Sequence, residues 1–271
     1  EISVTVIDLP EKEKTLPKRK GLDFQLNVWQ GDTERKYDVF YHLAWAGSAG
    51  VGRKDGFLQA ENIRNTLEAL ALAKKMGCHT FIFAGSIMEE EVEAAKKAGL
   101  PPKGTDCYAL AKTAAGNLSR ALAKEWGIRH VTGRITNTFG VGEKSNRLIC
   151  RLMDAWQKGE VPPLTAGTQM SDFLYVTDAA RAFVAMGEKG VDGKTYIIGS
   201  GKPHPLRNWL EEAMEVTGGR GDFGEIPFSG VSLTKSDFDT SELEQDTGFC
   251  CRVPFAEGIG RLWHWRKEGR L

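Results

Sequence analysis

Apolar residues recur along the chain in two textures. Short β-branched or aromatic runs alternate with longer stretches whose apolar positions return every three or four residues. Ile2–Ile7 (ending at Asp8), Tyr37–Ala44, Cys78–Ala84 and Ile128–Ile135 read as strands. Gln59–Met76 and Asp106–Trp126 read as helices. Ile63, Leu67, Leu70 and Ala71 form the first helix's stripe, and Gly77 and Gly127 are placed to end the two helices. Strands that are apolar almost throughout, separated by helices, predict a parallel sheet covered on both faces. After Gly142 the spacing changes. Asn146–Lys158 reads as a helix stopped by Pro162-Pro163, Phe173–Val176 as a strand, Asp178–Met186 as a helix and Thr195–Ile198 as a strand. Further helices fall near Leu206–Val216, Ser241–Gln245 and Phe255–Lys267. The pattern divides the chain into an α/β domain over residues 1–142, to which residues 171–198 return, and a smaller cap built mostly from residues 143–271.

Composition narrows the function. The 271 residues carry 36 basic and 36 acidic side chains, so the formal charge is zero. A nucleic-acid binder needs a clustered positive excess, so that class is set aside. No apolar run approaches the length that crosses a bilayer, and no charged leader precedes a long apolar stretch. The five cysteines are odd in number, and their spacing resembles no metal knuckle. Reduced thiols in a cytoplasmic protein without a metal site are the expectation.

Two features can carry chemistry. Tyr108 and Lys112, in YALAK, are four apart and share one helix face. An ammonium beside a phenol favours the phenolate, which makes Tyr108 a candidate general acid/base. A surface pair on a solvated helix has the same spacing. Ser86 follows the run CHTFIFA at the carboxyl end of a presumed parallel strand, where ligands of open α/β sheets bind. A serine there also makes a good turn or cap. The Gly-rich stretch GSAGVG, Gly47 to Gly52, is followed by Arg53-Lys54 rather than a helix-opening fingerprint, and reads as a plain loop.

The order FIFAGS, YALAK, RITNTFGVG resembles the extended short-chain dehydrogenase/reductases, and more narrowly the NAD-dependent epimerase/dehydratase family acting on sugar nucleotides. Further matches are Asp8 at a strand end, His42-Leu43-Ala44, Asn62 with Thr66, Arg134 with Asn137, Phe139 and Gly140, and Asp172-Phe173 with Val176 and Asp178. The resemblance implies a Rossmann-like doubly wound parallel sheet with a small C-terminal substrate-binding cap, and NAD as cofactor. It implies that Ser86, Tyr108 and Lys112 are catalytic. Asp8, Leu43, Ala44 and Asn62 would bind the cofactor together with Tyr108 and Lys112, which would hold the nicotinamide ribose. Asp8 at the adenosine ribose would favour NAD over NADP, unless it is a strand-end turn residue. Ser86, Asn137 and Arg147 would meet a nucleotide-diphosphate sugar. Asn137 also fits a turn, and Arg147 with Arg151 also fits a solvated helix face. Asp178 reads as a helix N-cap.

Departures from the family pattern shape the rest. The first strand and its Gly-rich turn are expected to be missing, since nothing before Ile2 supplies them. Ile87 and Met88 follow Ser86 where the family's 4,6-dehydratases hold an Asp-Glu pair, and Glu89-Glu90-Glu91 read as a solvated helix start. Epimerisation is therefore expected, with keto-sugar reduction as the alternative. A non-catalytic remnant lacking the Gly-rich cofactor loop is the reading from another class. Leu70, Leu72, Ala73 and Met76 widen the apolar surface of Gln59–Met76, which predicts a two-fold homodimer through that helix and Asp106–Trp126.

Overall fold

The computed structural model describes residues 3–8, 13–14, 17–18, 20–26 and 34–268. Ile2, part of the first expected strand, lies outside them. Four strands form the central parallel sheet: β3 (Val39–His42), β4 (Thr80–Ser86), β5 (Arg129–Ile135) and β10 (Thr195–Ile198), in the order β10-β5-β4-β3. A second, two-stranded parallel sheet pairs β1 (Val4–Asp8) with β2 (Leu22–Leu26).

β4 shows why its sequence is an unbroken apolar run. Side chains alternate across a strand. Phe81 and Phe83 join Leu70, Ala73, Ala115 and Ala123 on one face of the sheet, under α1 (Gly56–Lys75) and α3 (Cys107–Glu125). Ile82 and Ala84 join Val131, Phe183, Met186 and Ile198 on the other, under α5 (Val176–Lys189). All of these side chains except Ala84, Phe183 and their rims are essentially sealed from solvent. Both faces are thus buried, as the parallel arrangement requires. A separate cluster joins α4 (Leu148–Gln157), α6 (Leu206–Thr217) and α8 (Phe255–Glu268) through Met153, Trp209, Leu210 and Ile259.

Three expectations change. α2 (Met88–Lys97) does not open as a wholly solvated run, because Glu89 in its first turn is buried. Leu70, Leu72, Ala73 and Met76 are each 5% exposed or less within this one chain, so they call for no partner. Asp178 sits inside α5 rather than capping it. Its Oδ2 accepts the backbone N–H groups of Arg252 and Val253, at 2.8 and 2.9 Å, and so anchors a segment far along the chain. No helix among the described residues is long and apolar enough to cross a membrane.

Candidate active site

Ser86 ends β4, opposite Ile135 of β5. α2 starts immediately after it, so the Ser86 hydroxyl accepts the Met88 N–H at 3.3 Å and Glu89 Oε1 accepts the Ser86 N–H at 2.8 Å. Tyr108 and Lys112 lie one turn apart near the start of α3, and both are buried, at 7% and 4% exposure. The i, i+4 spacing therefore places them on the sheet side of the helix rather than on a solvated surface. The structure brings Ser86, Tyr108 and Lys112 together: the Ser86 hydroxyl lies close enough to the phenol to favour its ionised form, and Lys112 Nζ donates to the Ala84 carbonyl at 2.7 Å.

The electrostatics differ from the expectation that Lys112 lowers the phenol's pKa. Burial pushes Tyr108 above its ordinary value of 10.0, opposed first by the Ser86 hydrogen bond and then by the charges of Arg53 and Arg147. Those arginines are cations that favour the phenolate, and Lys112 Nζ lies 6.0 Å from the centroid of the same ring. The Arg53 guanidinium lies 5.1 Å from the Tyr108 ring centroid, and its Nε donates to the Ser48 carbonyl at 2.7 Å. Lys112 is pushed down to about 7 by its own burial, opposed by the Glu89 charge. Burial raises Glu89, and Arg134 opposes that most strongly, with a guanidinium contact at 3.2 Å. Arg134 also pairs with Glu90.

The other expected residues are spread around this centre. Leu43 (57% exposed) and Ala44 follow β3 and face solvent beside Ser86's strand. Asn62 is buried with both polar ends spent on Ala46: Oδ1 accepts its N–H at 3.0 Å and Nδ2 donates to its carbonyl at 2.8 Å. It holds the loop rather than offering a free amide. Asn137 is exposed and donates to the Asp172 carbonyl at 3.1 Å. The Arg147 side chain is 47% exposed, 4.0 Å from Glu143. Asp8 ends β1 in the two-stranded sheet, opposite Leu26. Arg53 and Trp45 carry no role in the sequence reading, and Glu89 reads there as part of a solvated helix start. The first two lie in a Gly-rich loop without periodicity, and Glu89 sits in a run of like charges. The usable signal was Gln59 with Asn62, two carboxamides one turn apart on the buried side of α1.

Residues 28–199, more than half of the chain, match the NAD dependent epimerase/dehydratase family. The chain belongs to that family. Among curated relatives, dTDP-glucose 4,6-dehydratase of Streptomyces niveus is 28% identical over 168 residues, covering 60% of this chain and 49% of that protein. The enzyme of the same name from Neisseria gonorrhoeae is 31% identical over 179 residues, covering 60% and 51%. The chain spans about half the length of these curated relatives. Among solved structures, a UDP-N-acetylglucosamine 4-epimerase from Methanobrevibacter ruminantium M1 superposes with a TM-score of 0.80 at 21% identity, over 98% of this chain and 91% of that one. DesIV, a dTDP-glucose 4,6-dehydratase from Streptomyces venezuelae solved with NAD, gives 0.77 at 20% identity, over 98% and 88%. These likenesses show the Rossmann-like family fold, and the family is NAD-dependent, as the sequence motifs implied.

Proposed function

We propose that the chain carries the catalytic centre of an NAD-dependent sugar-nucleotide epimerase, with Tyr108 as acid/base and residues 143–271 forming most of the substrate-binding cap. The observation that carries this reading is the convergence of Ser86, Tyr108 and Lys112. The donor set suits a dinucleotide and a sugar hydroxyl. Leu43, Ala44 and Ser86 lie at the carboxyl ends of neighbouring parallel strands, and Lys112 Nζ has three donors but one hydrogen-bond acceptor among the described residues. Leu43, Ala44, Tyr108 and Lys112 would hold the cofactor, whose chemistry is to accept and return a hydride at a carbinol carbon.

Tyr108 takes the proton of the sugar hydroxyl as the carbonyl forms and gives it back on return. Ser86, beside the phenol, fixes the position of the substrate oxygen. Arg53 and Arg147 stabilise the phenolate while the proton is away. Arg147 and Asn137, both exposed, would meet the diphosphate and sugar of a nucleotide-diphosphate sugar. Asp8 would bind the adenosine ribose. Reduction of a keto-sugar would use the same residues and consume reduced cofactor instead of recycling it.

Elimination of water needs an acid for the leaving hydroxyl and a base for the neighbouring proton. Ile87 is buried against Leu233 and Phe238, Met88 is apolar, and Glu89 is engaged by the Ser86 N–H and Arg134. Incubation of the protein with candidate nucleotide sugars and NAD is therefore expected to give a product of unchanged mass and altered stereochemistry. A product lighter by one water refutes the epimerase reading in favour of a dehydratase. A gain of two hydrogens with added NADH favours the reductase, and no conversion of any candidate supports the non-catalytic remnant.

The reading includes a two-fold homodimer through α1 and α3. Leu110 and Leu118, 41% and 48% exposed on α3, support it. Sedimentation at micromolar concentration checks it, and a monomer refutes it.

A further inference from the structure

Trp45 lies in the loop between β3 and α1, and that loop is tied down at several points. The indole N–H donates to Gln59 Oε1 at 2.8 Å, and Gln59 Nε2 donates to the carbonyls of Gly47 and Gly52 at 3.2 and 2.8 Å. Asn62 grips Ala46 on both sides. Gly47 has φ +66, and a side chain there would come within 2.6 Å of Leu58 Cδ2, so the turn is folded tightly onto the start of α1. The outcome is a fixed indole. Its ring centroid lies 3.9 Å from Lys112 Nζ, and the ring makes T-shaped contacts with Tyr108 and Phe83, centroids 6.1 and 6.3 Å away. The ammonium is thereby enclosed by the Ala84 carbonyl at 2.7 Å, the indole, and the more distant rings of Phe83 and Tyr108 at 5.1 and 6.0 Å. Glu89 acts on it through its charge. Lys112 is left 4% exposed.

The ammonium keeps N–H donors without a hydrogen-bond acceptor among the described residues, but at 4% exposure and under the indole they are closed to a ribose diol. A cation over an indole face is itself a favourable contact, and a desolvated one is the stronger kind. We propose that Trp45 is a further determinant of the cofactor site: its indole and the cofactor ribose compete for Lys112, so the ring must leave the ammonium before the cofactor can seat. The proposal rests on the reading of Lys112 as the ribose-holding residue. It makes the 45–53 loop, rather than the sheet, the element that sets cofactor affinity.

Two measurements on the protein test it. The first needs no cofactor: acetylation of Lys112 by acetic anhydride, followed by mass spectrometry. Lys112 is expected to be protected in the wild type and labelled several-fold faster in Trp45→Ala, with the exposed lysines unchanged. The second is calorimetric titration with NAD. Trp45→Ala is expected to bind about three- to thirtyfold more tightly, the factor that loss of a competing cation–π contact gives. Trp45→Phe keeps an aromatic cover without the anchoring N–H and is expected to fall between, which preserves the test if the alanine variant unfolds. Unchanged Lys112 labelling overturns the cover. NAD bound equally or more weakly by both folded variants overturns the competition while leaving the cofactor reading intact. NAD bound by none of the three overturns both.

Discussion

Tyr108→Phe is expected to lower turnover by ~10²–10⁴, the usual cost of losing a general acid/base, or about 3–5 kcal/mol of transition-state stabilisation. The substitution isolates the hydroxyl. The ring edge against Trp45 and the ring face under Arg53 persist in phenylalanine, so packing around α3 is kept. Only the proton-carrying oxygen, with its interaction with the Ser86 hydroxyl, is lost. The fall should therefore appear in kcat, with cofactor binding and the melting temperature close to wild type. Steady-state kinetics with the nucleotide sugar that the mass measurement identifies, beside a thermal melt, checks this. Near-normal turnover in the folded variant would remove Tyr108 from the chemistry.

Asp178→Ala is expected to cost roughly 2–5 kcal/mol of stability, because each buried donor left without a partner costs ~1–3 kcal/mol. The carboxylate is 1% exposed and accepts from the Arg252 and Val253 N–H groups, from the Cys251 thiol at 3.0 Å and from Arg181. Removing it strands two backbone donors at the junction between α5 and the segment leading into α8. For a chain of this size, the melting temperature should fall by roughly 5–15 °C. Burial alone would raise the Asp178 pKa, but its hydrogen bonds, that of Val253 first, outweigh burial and hold it below the ordinary 3.8. A carboxyl depressed in the folded state stabilises above its unfolded pKa, and that contribution is lost as pH falls through the folded value. Asp178→Asn should therefore show a shallower loss of stability below about pH 4. A melting temperature unchanged by Asp178→Ala would show that this junction contributes little to folding.

Much of this fold was legible because its signals are periodic. The run CHTFIFA is apolar on both faces because Phe81 and Phe83 meet helices on one side of the sheet and Ile82 and Ala84 meet α5 on the other. Tyr108 and Lys112 were legible for the same kind of reason, since helical spacing fixes which face they share. Missed features depend on contacts distant in sequence. Glu89 looks like one member of an exposed acidic run until Arg134, from a strand 45 residues further on, supplies its partner. The short alternation of Leu22–Leu26 gave no signal against its polar surroundings, although it pairs with β1 along its full length. Trp45 and Arg53 lie where the chain has no period at all, and only the folded loop carries them to Lys112 and Tyr108.

The turn that positions those two residues is gripped by carboxamides. Gln59 and Asn62 bear no net charge and do not titrate, and their partners are backbone groups and an indole N–H. Salt screens interactions between charges and has little hold on such contacts. By contrast, the outer side of the same helix carries Arg64 paired with Glu68 at 2.9 Å, with both side chains open to solvent. Ionic strength is therefore a lever on the outer surface of α1 and not on the turn at its beginning, which should keep its shape from dilute buffer to concentrated salt.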